Sequence, residues 1–208
     1  MRFHHIIWDF DGTMFDTYPV MSAAFRAALL ERGIDEPAET VMSFFKVSMF
    51  YAVQSYTEKY RLDNEFFERY KALSKAAERE NARPFDGVAE LCRTICESGG
   101  KNYLFTHRGG SARYFFDKFD LSGYFTELIT HERDFPRKPS PEGILYLIGK
   151  YGFAPDDALM VGDRDLDIQA AQGAGAKGCF FADGGEASGI ADYNIDSLPE
   201  LYEIIAIN

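Results

Sequence analysis

Cysteine and histidine are scarce in this sequence of 208 residues, with three and four copies respectively. Cys92 and Cys96 lie one helical turn apart, and Cys179 lies in a distant apolar run, so we expect no framework of structural disulfides. A zinc site needs several Cys or His ligands at regular spacing, whereas the four histidines are scattered along the chain. These shortages argue against a disulfide-stapled protein and against a transition-metal site.

Basic residues and long apolar runs are also in short supply. The chain has 33 Asp and Glu residues against 22 Lys and Arg residues, which gives a formal net charge of −11. Such a chain is poorly suited to bind the phosphate backbone of nucleic acids. No apolar run approaches the ~20 residues of a membrane-spanning helix, and Asp9 interrupts the apolar start too early for a signal peptide. We therefore expect a cytoplasmic protein that binds neither nucleic acid nor membranes.

Five short apolar runs, each closed by polar residues, alternate with helical patterns. The predicted strands cover residues 3–8, 103–105, 128–130, 158–161 and 178–181. The predicted helices between and after them cover residues 88–97, 111–119, 141–151, 166–174 and 198–205. This alternation predicts an α/β protein with a parallel sheet, whose ligand crevice lies beyond the carboxyl ends of the strands.

One long segment breaks the alternation. Between about residues 18 and 83 the sequence has only helical signals, with predicted helices at 23–32, 44–60 and 65–80. We expect a small all-helical insert at residues 17–84, within a sheet domain formed by residues 1–16 and 85–208. The aromatic residues between positions 44 and 51 have helical spacing and are expected to form the core of that insert.

Acidic residues follow two of the predicted strands. Asp9 and Asp11 point the same way in an extended chain, and two close carboxylates require a shared proton or a bound cation. By itself, this Asp-x-Asp-Gly run is more typical of a turn than of a site. The run from Gly162 to Asp167 adds further carboxylates, although acids at a helix start can also serve as caps. Two acidic clusters at neighbouring strand ends can converge on one Mg²⁺ ion, which prefers hard oxygen ligands.

A site that holds Mg²⁺ through carboxylates needs cationic and hydroxyl groups to bind a phosphate. Thr106 closes a predicted strand, and the glycines after it lead into a helix N-terminus that could bind an anion. Lys138 lies in a proline-rich loop that would fix its position. Either residue taken alone is more typical of a solvated side chain.

Four ordered motifs together resemble those of the haloacid dehalogenase superfamily. They are Asp9-Phe10-Asp11-Gly12-Thr13, then Thr106, then Lys138-Pro139, and then Gly162-Asp163 with Asp167. The resemblance covers most of the chain and implies a Rossmann-like parallel sheet core with a small helical cap domain. The chain is most similar in pattern to phosphoglycolate phosphatase-like enzymes and β-phosphoglucomutases.

The resemblance also implies a role for each motif residue. Asp9 would be the nucleophile that forms an aspartyl-phosphate, and Asp11 would be the general acid and base. Thr106 would bind a phosphoryl oxygen, and Lys138 would neutralise the nucleophile and the developing charge. Thr13 would support the loop.

For the metal, the resemblance implies that Mg²⁺ is held by Asp9, Asp163 and the backbone carbonyl of Asp11. Asp167 would orient Lys138. His107, which follows the threonine, is a candidate for substrate binding.

The acid/base aspartate favours phosphate ester chemistry over dehalogenation. We therefore expect a Mg²⁺-dependent phosphatase of a small phosphorylated metabolite, acting as a monomer or a weak homodimer. A phosphosugar mutase is the alternative, but Met21 and Met49 stand about where those mutases carry a histidine and a phosphate-binding arginine; Lys46 could substitute for the latter. A non-catalytic phospho-aspartate receiver is a third possibility, disfavoured by the long helical insert.

Overall fold

The computed structural model describes residues 1–206. Its strands in chain order are β1 (His5–Trp8), β2 (Phe15–Asp16), β3 (Arg83–Pro84), β4 (Lys101–Phe105), β5 (Phe125–Ile129), β6 (Ala158–Gly162), β7 (Lys177–Phe181) and β8 (Tyr193–Ile195). Its α-helices are α1 (Tyr18–Glu31), α2 (Ala38–Val47), α3 (Met49–Tyr60), α4 (Asn64–Asn81), α5 (Val88–Glu97), α6 (Ser111–Lys118), α7 (Glu142–Tyr151), α8 (Asp165–Gly173) and α9 (Leu201–Ile204). Short 3₁₀ helices cover Ser122–Tyr124, His131–Arg133, Pro155–Asp157 and Leu198–Glu200.

The chain divides into two compact units. One unit combines residues 1–14 with the chain from residue 84 onward, and the other is formed by residues 15–83. The first unit contains a six-stranded sheet in the order β5-β4-β1-β6-β7-β8. Every neighbouring pair in this sheet is parallel. The predicted α/β class with a Rossmann-like parallel sheet is confirmed.

The strand β1 lies in the middle of the sheet and is covered on both faces. Ile6, Ile7 and Trp8 are fully buried. Such a strand shows a continuous apolar run rather than alternation, because both of its faces pack against the core. The indole Nε1 of Trp8 donates a hydrogen bond to Oδ1 of buried Asn102 at 3.0 Å, so the one polar atom of this side chain is satisfied.

The unit formed by residues 15–83 has its own core of aromatic side chains. Phe25 of α1 lies at its centre, with ring centroids 5.1–5.5 Å from those of four other aromatic residues. They are Phe45, Tyr56, Phe66 and Tyr70. Edge-to-face and tilted pairs of this kind add to the free energy gained by burying the rings. The helical amphipathicity of the insert is therefore explained by a core of its own.

The prediction of one helix across residues 44–60 is wrong. Ser48 has an extended backbone, with φ −176° and ψ 153°, and separates α2 from α3. Its hydroxyl oxygen accepts a hydrogen bond from the N–H of Tyr51 at 2.9 Å, which caps the start of α3. The break turns part of the aromatic segment outward, so Phe45 is buried as expected but Phe50 is 69% exposed.

Further differences concern short elements, beginning with the two-stranded sheet of β2 and β3, which was not predicted. The three-residue edge strand β8 was not predicted, and the predicted helix at 198–205 is a 3₁₀ turn followed by α9. Within residues 1–206 no helix is long and apolar enough to cross a membrane.

Candidate active site

Three of the predicted site residues immediately follow strands of the parallel sheet. Asp9 follows β1, Thr106 follows β4 and Asp163 follows β6. These strands are neighbours in the sheet, so their carboxyl ends bring the three residues to one edge. The N–H of Asp9 still donates to the carbonyl of Val161 at 2.9 Å, which extends the sheet pairing into the site and fixes the backbone of Asp9.

A buried lysine lies between two buried aspartates. Nζ of Lys138 is 2.5 Å from Oδ1 of Asp9 and 2.5 Å from Oδ1 of Asp167, and all three side chains are almost completely shielded from solvent. The same ammonium donates a hydrogen bond to the carbonyl of Phe105 at 3.0 Å. Buried charges are tolerated when they are paired and hydrogen-bonded in this way.

The charges of this triad shift one another's protonation. Burial raises the pKa of the Asp9 carboxyl, and the nearby Lys138 ammonium opposes that change. Burial alone would lower the pKa of Lys138, but the carboxylates of Asp167 and Asp9 outweigh it, so the pKa of Lys138 is raised. Lys138 is therefore held as a cation beside the proposed nucleophile.

The loop that carries Lys138 is tied to His107. Nε2 of His107 accepts a hydrogen bond from the backbone N–H of Lys138 at 2.8 Å. Burial, assisted by the charge of Lys138, lowers the pKa of His107 to about 4, so the ring is neutral at physiological pH and can accept this bond. His107, predicted as a substrate-binding residue, therefore makes a contact that positions the lysine.

The turn after β1 places Thr13 against Asp163. Gly12 has a φ of +77°, which glycine adopts without the steric cost that a side chain would bring, and it allows the chain to turn sharply after Asp11. The buried hydroxyl of Thr13 then donates to Oδ1 of Asp163 at 3.2 Å. Thr13 thus links the two acidic motifs, as a supporting residue would.

Asp167 is held in place by the start of α8. Its Oδ2 accepts a hydrogen bond from the N–H of Arg164 at 3.2 Å, while its Oδ1 faces Lys138. A Cβ atom on Gly162 would lie only 2.4 Å from the Cβ of Asp167, so this close approach of strand and helix requires glycine. One oxygen of Asp167 therefore accepts a backbone hydrogen bond, and the other forms an ion pair with Lys138.

The acidic cluster suits a hard divalent cation. One carboxylate oxygen from each of Asp9, Asp163 and Asp167 lies within 4.8 Å of the others. Oδ2 of Asp9 is buried and has no hydrogen-bond partner within residues 1–206, and a bound cation would satisfy it. Oδ1 of Asp167 is a second buried carboxylate oxygen without a hydrogen-bond partner in this part of the chain, but it pairs with the ammonium of Lys138 at 2.5 Å.

Thr106 lies at the same edge with its hydroxyl partly committed. Its Oγ1 accepts a hydrogen bond from the N–H of Arg108 at 3.1 Å, an arrangement that leaves the hydroxyl proton for an acceptor such as a phosphoryl oxygen. The glycines after it do not provide the expected anion site at the start of α6. The carboxylate of Glu132 accepts a hydrogen bond from the N–H of Gly110 and is itself the anion at that helix end.

Sequence reasoning missed the side chains of two arginines. The guanidinium of Arg108 forms an ion pair with the carboxylate of Asp11, and Nη2 of Arg164 lies 4.0 Å from Oδ2 of Asp9. Both arginines come one or two residues after a predicted strand-end motif residue, which is the one signal that could have singled them out.

Comparisons with known proteins agree with this geometry. The family model described as haloacid dehalogenase-like hydrolase matches residues 6–181, which span all four motifs. The chain belongs to this family. The predicted membership is confirmed, and the predicted hydrolase class with it.

Among curated proteins, the chain is 28% identical over 176 residues to a 5'-nucleotidase of Pseudomonas aeruginosa, covering 82% of this chain and 79% of that one. It is 28% identical over 178 residues to a phosphoglycolate phosphatase of Aquifex aeolicus, covering 83% of this chain and 81% of that one. A solved hydrolase from Streptococcus pneumoniae TIGR4 is 31% identical over the full length of both chains, with a TM-score of 0.71. The family and these relatives indicate a phosphatase, a phosphoric monoester hydrolase, as the sequence predicted.

Proposed function

We propose that this protein is a Mg²⁺-dependent phosphatase that hydrolyses a small phosphorylated metabolite through an aspartyl-phosphate on Asp9. One observation carries the proposal. Asp9 is buried where β1 ends, and its Oδ1 forms an ion pair with Lys138, which is held as a cation. Its Oδ2 has no hydrogen-bond partner within residues 1–206. The ion pair with Lys138 fixes the orientation of this carboxylate. Its second oxygen remains available to bind a metal ion or to react.

In the proposed reaction, a carboxylate oxygen of Asp9 attacks phosphorus and the ester oxygen leaves with a proton from Asp11. Lys138 balances the negative charge on Asp9 and on the phosphoryl group as it transfers, and the hydroxyl of Thr106 donates to a phosphoryl oxygen. Asp11 then takes a proton from the water that attacks the phosphorus of the aspartyl-phosphate. Inorganic phosphate leaves and Asp9 is regenerated.

The proposed ligands of Mg²⁺ are Asp9, Asp163 and the backbone carbonyl of Asp11. When bound, the ion supplies positive charge that stabilises the oxygens of the transferring phosphoryl group. Thr13 supports Asp163 through its 3.2 Å hydrogen bond, and Asp167 orients Lys138. We further propose that the helical unit formed by residues 15–83 is the family's cap domain, which selects the substrate.

The proposed substrate class follows from what the relatives have in common. A 5'-nucleotidase and a phosphoglycolate phosphatase both cleave small phosphoric monoesters, and both resemble this chain at 28% identity. A phosphosugar mutase is not favoured. Met21 is buried in the aromatic core of the helical unit, and Met49 begins α3, so neither position offers a polar group to bind a second phosphate.

The proposal is tested by a panel of phosphorylated metabolites that includes 2-phosphoglycolate, nucleoside 5'-monophosphates and sugar phosphates. We expect release of inorganic phosphate from at least one of them with Mg²⁺, without added sugar bisphosphate, and no release in excess chelator. The Asp9→Asn variant is the control and should release none. Full turnover in chelator, or isomerisation of a sugar phosphate that depends on a bisphosphate, would contradict the proposal.

A further inference from the structure

The side chain of Arg108 contacts both oxygens of the Asp11 carboxylate. Nε of Arg108 donates to Oδ2 of Asp11 at 3.3 Å, and Nη2 pairs with Oδ1 at close range. The two residues are 97 positions apart in the chain, so the fold brings them together. A two-point contact of a guanidinium with a carboxylate fixes the direction of both groups, which a single hydrogen bond does not.

Arg108 is itself held firmly. Its guanidinium carbon lies 4.8 Å from the ring centroid of Phe10 and 5.7 Å from that of Phe115, at distances typical of cation–π contacts. Its backbone N–H donates to Thr106, and its carbonyl accepts from the N–H of His131 at 3.0 Å. Its side chain is only 10% exposed. An arginine restrained on all sides in this way transmits its own position to the carboxylate it binds.

Of the three consecutive residues after β4, two therefore contact other parts of the site. Thr106 offers a hydroxyl at the sheet edge, His107 binds the backbone of Lys138, and Arg108 binds Asp11. An acid/base group must direct one oxygen at the leaving group, and its efficiency depends on that geometry.

We propose that Arg108 is a positioning residue for the general acid and base Asp11, acting through the orientation of its carboxylate. The inference rests on the proposed function, since it takes Asp11 to be the acid and base. Without Arg108, the Asp11 side chain would sample other rotamers and would less often direct an oxygen at the leaving group. Reactions that need a proton on the leaving group would then suffer more than reactions that do not.

The test compares two esters of similar shape, phenyl phosphate and p-nitrophenyl phosphate. p-Nitrophenolate leaves readily without a proton, whereas phenolate is a poorer leaving group and benefits more from an acid. The kcat/KM values of both esters are measured with Mg²⁺ for the wild type, Arg108→Met, Arg108→Lys, Asp11→Asn and the Arg108→Met/Asp11→Asn double variant. Thermal midpoints and circular dichroism establish that each variant is folded.

We expect Arg108→Met to lower kcat/KM about 10-fold for phenyl phosphate and about 2-fold or less for p-nitrophenyl phosphate. Asp11→Asn should show the same preference with a larger loss, and adding Arg108→Met to it should cause no further loss, because the two residues act as a unit. Arg108→Lys keeps the positive charge but cannot make the two-point contact of a guanidinium, so its activity should lie between those of Arg108→Met and the wild type. It also replaces Arg108→Met in the comparison if that variant does not fold.

Equal losses on both esters, or a full additional loss in the double variant, would overturn the inference and leave the proposed function intact. Such results would mean that Arg108 acts on the substrate or on the fold. If Asp11→Asn instead turned over both esters as fast as the wild type, the proposed role of Asp11 would be overturned, and the inference with it.

Discussion

At the scale of single residues, the site depends on how the buried charges compensate one another. Lys138 bridges Asp9 and Asp167 at 2.5 Å each, so one cation serves two carboxylates. Removing one partner of a buried pair leaves an uncompensated charge, which costs far more than the pair contributes. The three members of this triad should therefore differ in what their loss does to stability.

Replacing Lys138 by Met should destabilise the protein more than replacing Asp9 by Asn. Lys138→Met leaves two buried carboxylates without their cation and should lower the free energy of unfolding by about 3–5 kcal/mol in metal-free buffer. Asp9→Asn leaves Lys138 paired with Asp167 and should cost less, although it should abolish turnover. Urea denaturation of both variants checks this, and an equal or smaller loss for Lys138→Met would show that the triad is not charged as described.

A methyl group at Gly162 should displace Asp167 and so disturb its contact with Lys138. Its Cβ would lie 2.4 Å from the Cβ of Asp167, so Gly162→Ala must displace the aspartate from Lys138. We expect a loss of about 1–3 kcal/mol in the free energy of unfolding, together with a lower kcat. The matched control is Gly149→Ala on α7, where a Cβ meets nothing within 4 Å and should be neutral or stabilising. Wild-type stability and kcat in Gly162→Ala would refute the close approach.

Asp9, Thr106 and Asp163 could be placed together at one edge of the sheet from sequence, because each follows a short apolar run. Some of the contacts around them could not. The ion pair of Arg108 with Asp11 and the hydrogen bond of Gly110 with Glu132 join segments that the sequence does not show to be neighbours. A charged side chain has many acceptable partners, and only the tertiary fold decides among them.

At the scale of elements, the loop after β4 connects the site. Nε2 of His107 accepts a hydrogen bond from the backbone N–H of Lys138, and this contact requires a neutral ring. Because the pKa of His107 is lowered to about 4, the His107 ring takes up a proton less readily in the folded protein than in the unfolded chain. The stability from this neutral histidine is complete above its ordinary pKa of about 6.5 and is lost as the pH falls toward 4.

The wild-type protein should therefore lose stability between pH 6.5 and 4 in a way that His107→Leu does not. We expect this part of the loss to be about 1–2 kcal/mol, after allowance for solvent screening of a partly exposed ring. His107→Leu should be less stable at neutral pH, since the N–H of Lys138 loses its acceptor, and its stability should depend less on pH in this range. An unchanged pH dependence in His107→Leu would exclude this role for the ring.

The strands with a continuous apolar sequence could be predicted. Element boundaries that depend on a single contact could not. The central strands β1 and β6 are buried on both faces, so their sequences are apolar apart from the half-buried His5 that begins β1. The break between α2 and α3 depends on the cap at Ser48, inside a segment whose apolar spacing continues across it. The edge strand β8 has only three residues, one of them a polar Asn194, and such a pattern is also typical of a loop.

At the scale of the whole molecule, an acidic protein is proposed to act on an anionic substrate. The chain has a net charge of −11, yet Lys138, Arg108 and Arg164 all lie beside the acidic side chains of the site. Local cations, rather than net charge, set the field at short range, because water and salt screen the more distant charges. The net charge therefore does not argue against a small phosphate ester at this edge of the sheet.

The most direct test of the central claim is the mass of the protein during turnover. The Asp11→Asn variant should still form the aspartyl-phosphate from p-nitrophenyl phosphate, whose leaving group needs no proton, but should hydrolyse it slowly because the amide cannot act as a base. Intact-mass measurement after acid quenching should then show one added phosphoryl group, which peptide mapping places on Asp9. The Asp9→Asn/Asp11→Asn double variant should show none. A phosphoryl group on another residue, or wild-type turnover with no phosphorylated protein detectable in either form, would contradict the account.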